Sequence, residues 1–116
     1  MRDFKQLKVW QKAHRLTLAV YESTACFPGD ERFGLTIQLR RATVSIPSNI
    51  AEGCGPTGDR ELAHFLSLAA GSACEVEYQI LLARDLAYIS TEQHCQLDEQ
   101  VNEVKRMLYS FRQRLV

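Results

Sequence analysis

Arg41, Ser45, Asn49 and Glu52 recur at steps of three and four residues within the stretch from Arg40 to Gly53, RRATVSIPSNIAEG. On a helix that spacing aligns a guanidinium, a hydroxyl, an amide and a carboxylate in one stripe. A second stripe follows downstream, with His64, Ser67, Gly71, Glu75 and Tyr78. Folding one segment back on the other sets Arg41 opposite Glu75, Ser45 opposite Gly71, Asn49 opposite Ser67 and Glu52 opposite His64. Two chemistries suit such a set. Carboxylates beside a histidine are acid–base groups and would serve a small-ligand or catalytic pocket. Alternatively the same residues form an internal hydrogen-bond network that fixes the register of two similar helices. The sequence favours the network, because no nucleophile motif, phosphate loop or Glu-x-x-His pair accompanies the stripes. The structural polar network is thus read as Arg41, Ser45, Asn49, Glu52, His64, Ser67 and Glu75. Neither a catalytic residue nor a cofactor is assigned. Gly71 reads as a close helix crossing, and Pro47 as a kink whose freed carbonyl takes a hydroxyl or a water.

Four helical segments must position these stripes. The first runs from about Phe4 to Thr24, with Val9, Ala13, Leu16 and Val20 on one side, and the second from about Glu31 to Gly53. Gly53, Gly55, Pro56 and Gly58 make a turn, after which Asp59 reads as the N-cap of a third helix ending near Tyr88. Ser90 with Gln93 three residues later is a capping-box pattern that opens the fourth helix. Leu97, Val101, Val104, Leu108, Phe111 and Leu115 then step by four and three, like a coiled-coil seam. With 116 residues, one core and short connections, the sequence predicts an all-α fold, an antiparallel up-down-up-down four-helix bundle forming a single domain over residues 1–116.

Composition narrows the function. Four cysteines form no C-x-x-C pair and show no ligand-like spacing to the three histidines, so they read as reduced thiols with no metal site. The first twelve residues are too charged for a signal peptide and no apolar run approaches a membrane span, so a cytoplasmic location is expected. Lys+Arg and Asp+Glu are equal at 14 each, which argues against indiscriminate nucleic-acid affinity. The charges are nonetheless segregated. An up-and-down bundle brings the start of helix one and the end of helix four to one pole, which would gather Lys5, Lys8, Lys12, Lys105, Arg106, Arg112 and Arg114 for contact with phosphates or a partner. Acidic residues such as Glu22, Asp30, Glu31, Asp85 and Glu92 collect toward the other pole, while Glu52, Asp59 and Glu61 sit at the basic pole and dilute it. Trp10, offset from the main apolar stripe, and Arg40, turned about 100° from Arg41, read as candidates for an oligomer interface.

The combination of FKQLKVWQKA at Phe4 to Ala13, FGLTIQLRRATVSIPSNIAEG at Phe33 to Gly53 and FLSLAAGSACEVEYQ at Phe65 to Gln79 resembles the four-helix-bundle family of the 23S ribosomal RNA intervening-sequence proteins. It is also similar to the accessory proteins of diversity-generating retroelements. This resemblance implies a bundle that assembles as a homopentamer, with no enzymatic activity, and a partner that is RNA or a reverse transcriptase. Those accessory proteins are strongly basic, whereas this chain is neutral, and the turn CGPTGDRE at Cys54 to Glu61 carries a single cation, Arg60. The function expected is that of a non-enzymatic oligomeric interaction protein acting through its basic pole. The alternatives are a self-assembling structural module without a nucleic-acid role and, third, a small-ligand binder built on the polar stripes.

Overall fold

Each of the four expected helices exists, and side-chain hydrogen bonds mark where the second and the fourth begin. In the computed structural model, which describes residues 2–116, they are α1 (Lys8–Thr24), α2 (Leu35–Gly53), α3 (Asp59–Asp85) and α4 (Thr91–Leu115). There is no strand among the described residues. Successive helices pack side by side and α1 also packs on α4, whereas the backbones of the diagonal pairs stay apart, as an up-and-down bundle requires. The molecule measures 43 × 24 × 20 Å.

The first helix is shorter than its apolar pattern. Asp3 accepts from the Lys5 amide at 3.1 Å and starts a separate 3₁₀ turn, Phe4–Gln6, which Gln11 secures by donating to the Lys5 carbonyl at 2.9 Å. The second helix also starts late. A 3₁₀ turn covers Gly29–Glu31, and the Glu31 carboxylate reaches forward to accept from the Leu35 amide at 3.0 Å, capping α2 from outside. Gly34 makes this possible, since a Cβ there would lie 2.6 Å from Glu31 Oε1. Asp59 is not the cap of α3. Gly58, with φ +95°, occupies that position, and Asp59 enters the first turn, where a carboxylate favours the helix dipole. The capping box of α4 is present, with Ser90 accepting from the Gln93 amide and Gln93 from that of Ser90.

The core follows the sequence pattern. Val9, Ala13, Leu16 and Val20 of α1 meet Leu39, Ile46 and Ile50 of α2, Leu66, Val76 and Ile80 of α3, and the seam Leu97, Val101, Val104, Leu108 and Phe111 of α4, all buried. Buried hydroxyls are satisfied locally: Thr17, Thr24 and Thr43 each donate to the carbonyl four residues back, at 2.7–2.8 Å. The helix α2 runs through the buried Pro47, and no side chain among the described residues donates to the Thr43 carbonyl that the proline leaves free. The glycine in tight contact between α2 and α3 is Gly53 rather than Gly71: a Cβ on Gly53 would lie 2.9 Å from both Leu62 and Phe65.

Candidate interaction surface

The polar stripes pair differently from the sequence reading. Ser45 and Ser72 hydroxyls meet across α2 and α3 at 2.9 Å, one residue from the expected Ser45–Gly71 register. Asn49 donates to the Ser45 hydroxyl at 2.9 Å and to its carbonyl at 2.8 Å. There the internal network ends. Arg41, Glu52, His64, Ser67 and Glu75 are exposed, and none of the expected pairs Arg41–Glu75, Asn49–Ser67 or Glu52–His64 is bonded among the described residues. Helix periodicity places residues on a common stripe, but a stripe beside the core lies either inside the seam or just outside it. Here the small serines admit close packing, and the longer residues are turned to solvent. Among the described residues Glu75 accepts only from Gln79, at 3.2 Å, while the buried Gln79 Oε1 has no donor.

The two interface candidates are engaged within the chain. Arg40 donates to the Thr24 hydroxyl at 2.7 Å and the Tyr21 carbonyl at 3.3 Å, with its guanidinium 4.5 Å from the Tyr21 ring centre. It ties α2 to the end of α1 rather than facing outward. Trp10 is half-buried, edge-on to Phe4 and stacked on His14, with both ring centres at 5.0 Å, which fastens the N-terminal 3₁₀ turn to α1.

The basic set divides in two. Lys12 pairs with Glu103 at 3.3 Å and Lys105 with Glu77 at 2.7 Å, both on the flanks of the bundle. The Lys105 hydrogen bond holds the Glu77 carboxyl below its ordinary range, and the same bond raises the Lys105 ammonium. Arg106 shares a shallow depression with Asp98, Glu99 and Glu103, where acids outnumber it. Lys5, Lys8, Arg112 and Arg114 are exposed and belong to no ion pair among the described residues. Lys8 opens α1 without any acid in the first turn, so its charge adds to the positive end of the helix dipole.

Lys8 and Arg114 face a cleft of about 360 Å³ between the start of α1 and the end of α4. Its apolar wall is Leu7, Val9, Met107, Phe111 and Leu115. The Phe111 ring lies between two guanidinia, with Arg2 at 5.5 Å and Arg114 at 5.4 Å from its centre. Asp59 of α3 binds Arg2 at 3.3 Å, and the Arg2 amide donates to the Cys54 carbonyl at 3.1 Å. Two of these residues were not singled out in the sequence as contacts: Arg2, which precedes the helical pattern, and Phe111, whose seam position marks it as core. Burial pushes the Cys54 thiol up, with the Arg2 charge opposing in part. No group of three potential ligands for a metal occurs among the described residues, and no helix is long and apolar enough to cross a membrane.

A family model described as 23S rRNA-intervening sequence protein matches residues 5–110, which covers the first three helices and most of the fourth. The chain belongs to that family. A crystal structure of a protein of unknown function from the S23 ribosomal protein family, from Bacteroides thetaiotaomicron VPI-5482, is similar with a TM-score of 0.78. The two share 24% identity over 88% of this chain and 95% of that one, a likeness of fold. No functionally curated protein matches the chain. Within this 23S rRNA-intervening sequence protein family member, the cleft at the α1–α4 pole sets the unpaired cations Lys8 and Arg114 against apolar surface, and a second depression of about 510 Å³ beside α2 does the same with Arg32, Arg41, Ile37 and Val44.

Proposed function

We propose that this protein is a non-enzymatic, self-associating interaction module that binds RNA phosphates at the α1–α4 pole. The observation that carries the reading is the Lys8 and Arg114 pair at the cleft mouth, cationic without an acid partner among the described residues, while Lys5 and Arg112, near them in the chain, are exposed and equally without an ion pair. A lysine at the start of a helix is electrostatically adverse by itself. An incoming anion reverses the sign of that interaction, since helix N-termini and cations both favour phosphate. The family description, which names ribosomal RNA, is in keeping with this reading. Self-association is supported by exposed apolar side chains on α2 and α3, among them Val44, Leu68 and Tyr78.

The test is the salt dependence of binding to a labelled single-stranded RNA. Four phosphate contacts predict a slope of roughly −3 in log K against log salt, so that affinity falls roughly 10²-fold between about 50 and 200 mM. Replacing Lys8 and Arg114 together by glutamine should halve the slope. Absence of binding at about 50 mM salt, or a slope unmoved by the double replacement, overturns the reading. A salt-insensitive protein partner captured at the same residues would do so too.

A further inference from the structure

Phosphate contact accounts for Lys8 and Arg114 at the α1–α4 cleft and leaves the rest of its lining unused. Leu7, Met107 and Leu115 offer nothing to a phosphate, and Asp59, an acid in the first turn of α3, repels one. The cleft holds about 360 Å³, toward the lower end of the range in which proteins hold small ligands. Arg2 joins its two kinds of surface. The guanidinium lies 5.5 Å from the Phe111 ring centre, and Nη2 donates to Asp59 Oδ1 at 3.3 Å. The bond from the Arg2 amide to the Cys54 carbonyl holds the residue in place. Asp59 Oδ2 accepts from no group among the described residues, and the side chain is 64% exposed.

A cationic mouth, an apolar slot and a carboxylate with an oxygen to spare together suit one nucleotide of an unpaired strand, its phosphate at the mouth and its base inside. Apolar walls and guanidinium planes stack against any base, as in other sites for single-stranded RNA. The carboxylate selects among the bases. It can only accept hydrogen bonds, and its two oxygens offer about four lone-pair sites, so Oδ1 can serve Arg2 and a base together. Guanine alone among the RNA bases presents two neighbouring donors on its pairing edge, N1–H and the N2 amino group. Adenine and cytosine present one amino group beside an acceptor, and uracil one imino group between two acceptors. We infer that the α1–α4 cleft binds an unpaired guanine, with Asp59 accepting from its N1–H and N2–H and Arg2 positioning that carboxylate. Pairing with cytosine occupies both donors, so the guanine must come from a single strand. The inference rests on the RNA reading proposed above and names the nucleotide.

Fluorescence anisotropy with short labelled RNAs tests it at about 50 mM salt, where phosphate contacts are strong. The probes are an all-uridine strand and the same strand with guanosine, inosine, adenosine or cytidine at its centre. The guanosine strand should bind at least about 5-fold tighter than the all-uridine strand, the discrimination of a two-bond contact to a base edge. Inosine lacks only the N2 amino group and should lose most of that advantage, a comparison that needs no substitution in the protein. Asp59→Asn should bring guanosine and inosine level while the salt dependence carried by Lys8 and Arg114 stays as it was. Salt-dependent binding without a preference for guanosine would overturn the base contact and leave the phosphate reading standing. Failure of every strand to bind would overturn both. Inosine bound as tightly as guanosine, or a guanosine preference that survives Asp59→Asn, would overturn the role of Asp59.

Discussion

The two ends of the bundle use charged side chains in opposite ways. At the α1–α2 and α3–α4 turns, the acidic end, Glu31 accepts from the Leu35 amide and from the Tyr88 hydroxyl at 2.8 Å, stitching one turn to the other. Phe27 packs against Tyr88 in the same place, with ring centres 5.3 Å apart. The chain reverses from α3 into α4 through Ala87 at φ +63°, and the Tyr88 amide returns to the Ala83 carbonyl at 2.9 Å. At the basic end, Lys8 and Arg114 flank a cleft whose one acid, Asp59, is taken by Arg2, and neither is in an ion pair among the described residues. One end directs its charges into the fold, and the other leaves them for something outside it. Burial alone does not separate structural from available charge; the separation lies in whether hydrogen-bond partners are already supplied.

The strongest disruption belongs to the crossing beneath the basic end. Gly53→Ala pushes a methyl against Leu62 and Phe65, and overpacking of that kind costs about 1–3 kcal/mol. Chemical denaturation should show a lower midpoint with an unchanged slope, and an unshifted midpoint would mean the two helices can part freely there.

Acid titration distinguishes the tied end by a smaller effect. The Leu35 amide, and next the Tyr88 hydroxyl, hold the Glu31 carboxyl below its ordinary value. A lowered folded pKa gives stability that is present above the unfolded carboxylate value and lost as pH falls through the folded one. Glu31→Gln should therefore reduce stability at neutral pH and flatten its decline below about pH 5. The Tyr88 hydroxyl is raised by the same bond, so its share is lost only as alkaline pH passes above the ordinary tyrosine range. Equal acid profiles for variant and parent would remove Glu31 from the account.

The least effect on folding is expected at the cleft. Lys8→Gln with Arg114→Gln should leave the unfolding free energy within about 0.5 kcal/mol of the parent's, as surface substitutions usually do. A marked loss would show that these cations serve the fold after all, and would erase the contrast between the ends.

Sequence periodicity located the core well because a buried seam has only one period to obey. Leu97, Val101, Val104, Leu108 and Phe111 are all buried, and the Ser90–Gln93 capping box is formed. Helix starts were harder to place, since Glu31 and Asp3 act from outside the apolar pattern through hydrogen bonds to residues beyond them. The polar stripes were hardest. Arg41 and Arg40 are neighbours in sequence, yet Arg40 finds Thr24 and Tyr21 while Arg41 finds no ion pair among the described residues. A wheel of residues on α2 does not contain that difference, which depends on how near α1 approaches. The basic pole was legible in part: Lys8 and Arg114 line one cleft, whereas Lys12 and Lys105 find Glu103 and Glu77 on the flanks.

Cys54 gives the basic end a built-in clock. Its thiol is buried beneath the N-terminal segment, and the Arg2 amide closes over its carbonyl, whereas Cys26, Cys74 and Cys95 are exposed. A thiol-alkylating reagent would consume the three exposed cysteines first. The slow fourth reaction would then report how often the segment lifts away from the α2–α3 turn, at the very end where a partner is proposed to dock. Because the reporter is native, a bound ligand that clamps the segment would be seen as a slowing of one reaction among four, without any label being introduced.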